Sequence, residues 1–189
     1  MKKKMILSVL VLLIVFIITG CGTKKGNISN NKSNFNNSVV LYFSATGTTK
    51  YIAQRIANES NSDIIEIIPK EKYKKEDLNY NSDCRANTEQ RDAKARPEIE
   101  NTIDISKYDT VYLGYPIWWG TNPKIILTLF DTYDFTGKTI IPFCTSGSTE
   151  INGSVTDLRN YNSKLTIKDG RRFSSSDSDE AIKEFIKSN

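Results

Sequence analysis

The sequence predicts an α/β protein built on a parallel sheet, and three observations lead there. Short apolar runs rich in β-branched and aromatic residues recur at residues 39–43 (VVLYF), 63–68 (DIIEII), 109–115 (DTVYLGY) and 138–144 (KTIIPFC). Stretches with helical spacing lie between and after them, at residues 48–59, 123–133, roughly 154–161, and 179–187. Strands that alternate with helices are joined by crossovers, and crossovers make parallel neighbours. Composition is the third observation. Of 189 residues 38% are hydrophobic and 25% charged, with 10 glycines and 5 prolines, which fits one globular domain and excludes a fibrous or wholly disordered chain.

The first 37 residues stand apart from that pattern. Lys2, Lys3 and Lys4 precede an almost unbroken apolar run at residues 6–18, followed by Thr19, Gly20 and Cys21, as in a secretion signal. As a helix the run would span about 20 Å, short of the roughly 30 Å hydrocarbon core, so a permanent membrane span is the weaker reading. Ile18-Thr19-Gly20-Cys21 resembles a bacterial lipobox, in which the cysteine is acylated and becomes the new N-terminus. That resemblance implies a signal peptide over residues 1–20, lipidation at Cys21 and a partner in the membrane itself. Residues 21–37 are dominated by Asn, Ser, Lys and Gly, with too little apolar surface to offset the entropy of ordering them. They form a flexible tether on the order of 20 Å long. The folded domain is expected over residues 38–189, lipid-anchored outside the cytoplasm of a bacterial cell.

Within the domain each element has its own signal. Residues 39–43 form the first strand, and Ile52, Ala53, Ile56 and Ala57 mark the buried face of the helix after it. Residues 63–68 give a second strand that stops at Pro69. Residues 70–100 break the alternation, being long, charged and poor in branched aliphatics. They read as an insertion or atypical connection, with a polar surface helix over residues 85–95 that ends before Arg96-Pro97. Tyr112 and Tyr115 in the third strand are read as core residues. The fourth strand carries Pro142, which cannot donate to a ladder and argues for an edge or a bulge. A fifth strand near residues 164–167 has the weakest pattern.

Several function classes fall away. Without histidine there is no imidazole base and no His-ligated zinc. Cys21, Cys84 and Cys144 are too few and too scattered for a CxxC metal site. An oxidising compartment would allow a Cys84–Cys144 disulfide, but Cys144 ends an apolar strand and reads as a small buried hydrophobe. The overall charge of +4 comes from the tail: residues 1–37 hold six lysines and no acids, so the 26 basic residues fall to 20 against 22 acidic ones from Ser38 onward. A folded part at −2 argues against a nucleic-acid partner.

The candidate site begins with Ser44-Ala45-Thr46-Gly47-Thr48-Thr49, between the first strand and its helix. Free backbone N–H groups and the positive helix end favour an anion there, and four hydroxyls converge. The loop lacks the lysine of a nucleotide P-loop and the glycines of a dinucleotide fingerprint. Taken alone it is equally an ordinary Ser/Thr-rich capping turn. In context it resembles the [ST]-x-T-G-x-T loop of flavodoxins, which binds the ribityl phosphate of FMN. After the third strand, Tyr115-Pro116-Ile117-Trp118-Trp119-Gly120 is similar to the flavin-contacting loop of flavodoxin-like quinone reductases. A third loop, Thr145-Ser146-Gly147-Ser148, follows the fourth strand. All three lie at strand carboxyl ends, where open parallel sheets bind ligands.

The resemblance runs from about Val39 to the C-terminus. It implies a flavodoxin-like three-layer, doubly wound sheet of five parallel strands in the order 2-1-3-4-5, with non-covalent FMN as cofactor. Adjacent tryptophans cannot both point the same way, so one of Trp118 and Trp119 is expected inward and the other beside the ring. Thr145 to Glu150 carries no aromatic residue, where short-chain flavodoxins usually cover the second ring face from that loop. An open face favours an FMN-dependent oxidoreductase acting on a quinone-like or other stacked small-molecule acceptor. The alternatives are a flavodoxin-type electron carrier serving a redox partner protein, and a lipoprotein binding module that keeps the fold without catalysis.

Overall fold

The computed structural model describes residues 37–189. The signal peptide, the lipidation expectation at Cys21 and all but the last residue of the tether lie outside the described residues. In chain order the described part forms β1 (Ser38–Tyr42), α1 (Thr48–Ser60), β2 (Asp63–Glu66), α2 (Arg85–Arg91), β3 (Thr110–Pro116), α3 (Lys124–Thr132), β4 (Thr139–Thr145), α4 (Asn152–Tyr161), β5 (Thr166–Ile167), β6 (Arg171–Phe173) and α5 (Asp179–Lys187). The sheet runs β2-β1-β3-β4-β5 with every pairing parallel, and β6 joins β4 beyond β5. The predicted order 2-1-3-4-5 is the order observed.

Burial on both faces explains why the central strands read as unbroken apolar runs. Val39, Leu41 and Phe43 face one core, with Val111, Leu113 and Tyr115 beside them, and α3 and α4 cover it with Ile125, Ile126, Leu129, Val155 and Leu158. The alternate residues Val40 and Tyr42 face the other, where α1 and α5 supply Ile52, Ile56, Ile182 and Phe185. Period two in the strands and period 3.6 in the helices thus build three layers. Tyr112 and Tyr115 are core residues as read, and Cys84 and Cys144 are buried free thiols.

Pro142 is neither at an edge nor in a bulge of its own strand; β4 lies between β3 and the fifth position. The backbone of Ile140 faces β5, since its carbonyl accepts the Lys168 N–H at 2.8 Å. Two residues on, Pro142 faces the same way, so its missing N–H falls on that side. There the fifth strand breaks into β5 and β6, with Gly170 at φ 74 between them. The irregularity that the proline signalled is displaced onto its neighbour.

Between β2 and β3 the chain makes an excursion closed at its base by an antiparallel bridge, Pro69 to Ile99, with Lys70 N–H bonded to the Glu98 carbonyl at 2.9 Å. The excursion carries a 3-10 turn (Glu76–Leu78) and α2. The helix is shorter than expected, and it buries one side through Ala86 and Asn87.

Candidate functional site

The three predicted loops meet at the carboxyl end of the sheet, and Thr145 joins them. Its Oγ1 lies 2.7 Å from Thr49 Oγ1, and its carbonyl accepts the Ile117 N–H at 3.0 Å. Thr49 is therefore not part of an open hydroxyl cradle. It is buried on the face of α1 that carries Ile52, Ala53 and Ile56, tying the first loop to the third. Ser44 is also committed locally, its Oγ accepting the Gly47 N–H at 3.1 Å.

Gly47 caps α1 with φ 94, a left-handed geometry, and presents no side chain to the first helical turn. The leading amides of a 13-residue helix are thus left without a side-chain cap, beside the exposed hydroxyls of Thr46 and Thr48. Thr46 and Thr48 line a cavity of about 510 Å³. Of the predicted site residues, Ala45, Thr46, Thr48, Pro116, Ile117, Trp118, Thr145, Ser146 and Gly147 line it. Ser44, Gly47, Thr49, Trp119, Gly120 and Ser148 do not.

Sequence reasoning missed five lining residues: Leu78, Tyr80, Phe173, Ser174 and Ser175. The serines follow β6, and the switch-point rule that located the other loops would have found them had the fifth strand been placed there. Leu78 and Tyr80 come from the excursion and carried no such signal. None of the lining residues is charged. The cation nearest in sequence to this wall is Arg172, whose Nη1 lies 3.5 Å from the Ser146 carbonyl while Nε bonds Glu150 at 2.9 Å.

The paired tryptophans point apart as expected, but it is the inward ring, Trp118, that lines the cavity, and the outward Trp119, expected beside the flavin ring, does not. Trp118 is 3% exposed and sits edge-on to Phe43 and Tyr73, with ring centroids 5.6 and 5.0 Å away. Trp119 is 44% exposed, its ring 4.4 Å from Tyr80. The turn sets this division. Trp118 and Thr121 exchange N–H to carbonyl bonds at 2.9 and 3.1 Å across Trp119 (φ 50) and Gly120 (φ 78). Positive φ at both central residues is the signature of a two-residue type I′ hairpin, where Asn-Gly is usual and tryptophan is strained.

Buried titratable groups around the site are held neutral. Burial pushes the Cys144 thiol up to about 12. Burial also raises Tyr115, whose hydroxyl pairs with Ser154 Oγ at 2.9 Å. Tyr73 is raised by burial and by its hydrogen bond to Glu89.

A doubly wound parallel sheet with hydroxyl-rich and aromatic loops at its carboxyl edge defines a flavodoxin-like α/β protein. The flavodoxin family matches residues 37–189, and the chain belongs to that family. A candidate flavoprotein from Bacteroides eggerthii is 37% identical, covering 80% of this chain and 96% of its own, at a TM-score of 0.77. Another from Bacteroides uniformis is 38% identical over 79% and 97%, at 0.76. A flavoprotein from Lactobacillus acidophilus in complex with FMN is 28% identical over 71% and 91%, at 0.61. No curated protein matches the chain.

Proposed function

We propose that this chain is an FMN-dependent oxidoreductase, held at the outer face of the cytoplasmic membrane through Cys21, that reduces a quinone-like or other stacked acceptor. One observation carries the FMN reading: an uncharged cavity joins an uncapped helix N-terminus to an aromatic loop. The residues fit the group. Thr46 and Thr48 with the leading amides of α1 would hold a phosphate dianion without a cation. Ser175 offers a hydroxyl partner to a polyol chain, whereas Ser146 Oγ donates to the Thr149 carbonyl and Ser174 Oγ pairs with Ser176 Oγ, and Pro116, Ile117 and Trp118 offer an apolar wall to a planar ring. When bound, FMN supplies one- and two-electron redox chemistry. The chain's part is to bind, orient and exclude water, and the Tyr115–Asn122 loop places no charge against the ring.

The membrane assignment rests on the lysines, apolar run and lipobox of residues 1–21. Changing Cys21 to Ser should release the protein from the membrane fraction. A one-electron carrier is a second reading, and Tyr80 favours it, because an aromatic at the cavity competes with an acceptor for the open face.

Absorption bands of bound flavin in the purified full-length protein test the cofactor. Each hydroxyl bond to a dianion contributes about 1.5–3 kcal/mol, so Thr46→Ala should weaken FMN binding about tenfold or more by titration. Unchanged affinity would remove the phosphate from this loop. Turnover of a soluble quinone by the loaded protein separates a reductase from a carrier.

A further inference from the structure

Helix α2 has no part in the three predicted loops, yet two of its amide side chains grip the two segments that carry the exposed aromatics beside the cavity. Asn87 is 2% exposed, and its Nδ2 donates to the carbonyls of Tyr80, at 3.4 Å, and Ser82. One turn on, Gln90 Nε2 donates to the carbonyls of Trp118 at 3.1 Å and Asn122 at 3.2 Å. Gln90 Oε1 accepts the Lys124 N–H at 3.2 Å. A single amide thus holds the start of the Trp119-Gly120 turn, the residue that follows its far end, and the first residue of α3. Residues three apart share a helix face, so both grips come from one side of α2. Between them Tyr80 and Trp119 meet at 4.4 Å, although they are 53% and 44% exposed and Trp119 has the unfavourable φ of 50. Two half-exposed rings, one on strained backbone, are held together from behind.

We propose that Gln90, with Asn87, is a positioning residue that fixes Trp119 behind Tyr80 as an aromatic wall, and that Tyr80, the ring of this wall that lines the cavity, receives the face of a planar ring. The ligand class, a flavin mononucleotide, rests on the FMN reading above. Tyr80 supplies the aromatic that the Thr145–Glu150 loop lacks, from a segment on the other side of the sheet order. Gln90 touches no ligand and acts through the turn.

The test uses the full-length protein with FMN and with riboflavin, which has the ring and no phosphate. Loss of one aromatic contact should weaken both ligands equally in Tyr80→Ala, by between about two- and tenfold, and relieve quenching of flavin emission. Tyr80→Phe should behave as wild type. Gln90→Ala should reproduce part of the Tyr80→Ala effect, and the double variant should be no worse than Tyr80→Ala alone, because Gln90 works through the wall. Thr46→Ala, by contrast, should affect FMN and spare riboflavin. A ligand-free arm measures hydrogen exchange at the Trp118 and Thr121 amides, which Gln90→Ala should accelerate. Unaltered exchange, or unaltered quenching and affinity in Tyr80→Ala, overturns the proposal, as does simple additivity of the two variants. Wild-type protein that leaves both flavins free, while Gln90→Ala still accelerates exchange, would sink the FMN reading and sustain the positioning role of Gln90.

Discussion

At the scale of single residues, two glycines with positive φ do different work, and substitution separates them. Gly170, at φ 74, lies against β4 so closely that an added Cβ would stand 2.3 Å from the Pro142 carbonyl oxygen and 3.0 Å from Ile151. A backbone oxygen of a central strand cannot swing aside. Gly170→Ala therefore combines left-handed strain with overpacking and should cost about 2–4 kcal/mol in chemical denaturation. Gly47, at φ 94, has open space around its missing Cβ. Gly47→Ala should cost only the conformational term, about 1–2 kcal/mol. Equal losses would mean that the fifth strand yields at its break, and that Pro142 and Gly170 are not locked together.

At the scale of elements, the Trp118–Thr121 hairpin makes neighbouring identical residues unequal. Trp118 is buried among Phe43 and Tyr73, so Trp118→Ala should cost about 3–5 kcal/mol. Trp119→Asn removes a pair contact of about 0.5–1.5 kcal/mol but relieves left-handed strain of about 1–2 kcal/mol. Its unfolding free energy should stay within about 1 kcal/mol of wild type, while flavin quenching falls. A large loss in both variants would deny Trp119 a functional reason for its geometry. Neither outcome could be read from the dipeptide itself, which says only that the two rings point apart. Much else at this scale was legible: three loops at strand ends, and helices whose apolar spacing chose their buried face. Thr49 was legible too, since it lies three, four and seven residues before Ile52, Ala53 and Ile56 and so shares their face. Its likeness to a phosphate ligand hid that periodicity. The split fifth strand was not legible, because segments of two and three residues show no period. The role of α2 was not legible either. Polar side chains reaching across 28 to 34 residues leave no hydrophobic pattern.

For the whole molecule, charge ties the layers together at the surface and sets how the fold meets acid. Asp131 on α3 is held below the usual carboxylate range by its hydrogen bond from Tyr161 on α4, then by Arg96 of the excursion. Asp63 on β2 is lowered by a hydrogen bond from Tyr108, then by Lys107, both just before β3. Asp104 and Asp134 are lowered by hydrogen bonds from Ser106 and Thr136. A carboxyl whose folded value is depressed stabilises the fold above its unfolded value, near about 3.9, and loses that contribution as pH falls through the folded value. With no histidine in the chain, no side chain with an ordinary value between about 5 and 8 opposes this trend. The denaturation midpoint should therefore be flat from about pH 5.5 to 8 and fall below about pH 4. These groups are close to water, so each contribution is small and should shrink in high salt. Asp131→Asn removes a carboxylate that links α3, α4 and the excursion, and should flatten part of the acid slope while leaving the neutral plateau level. A midpoint that instead changes between pH 6 and 7 would place control of stability on a group outside this carboxylate set.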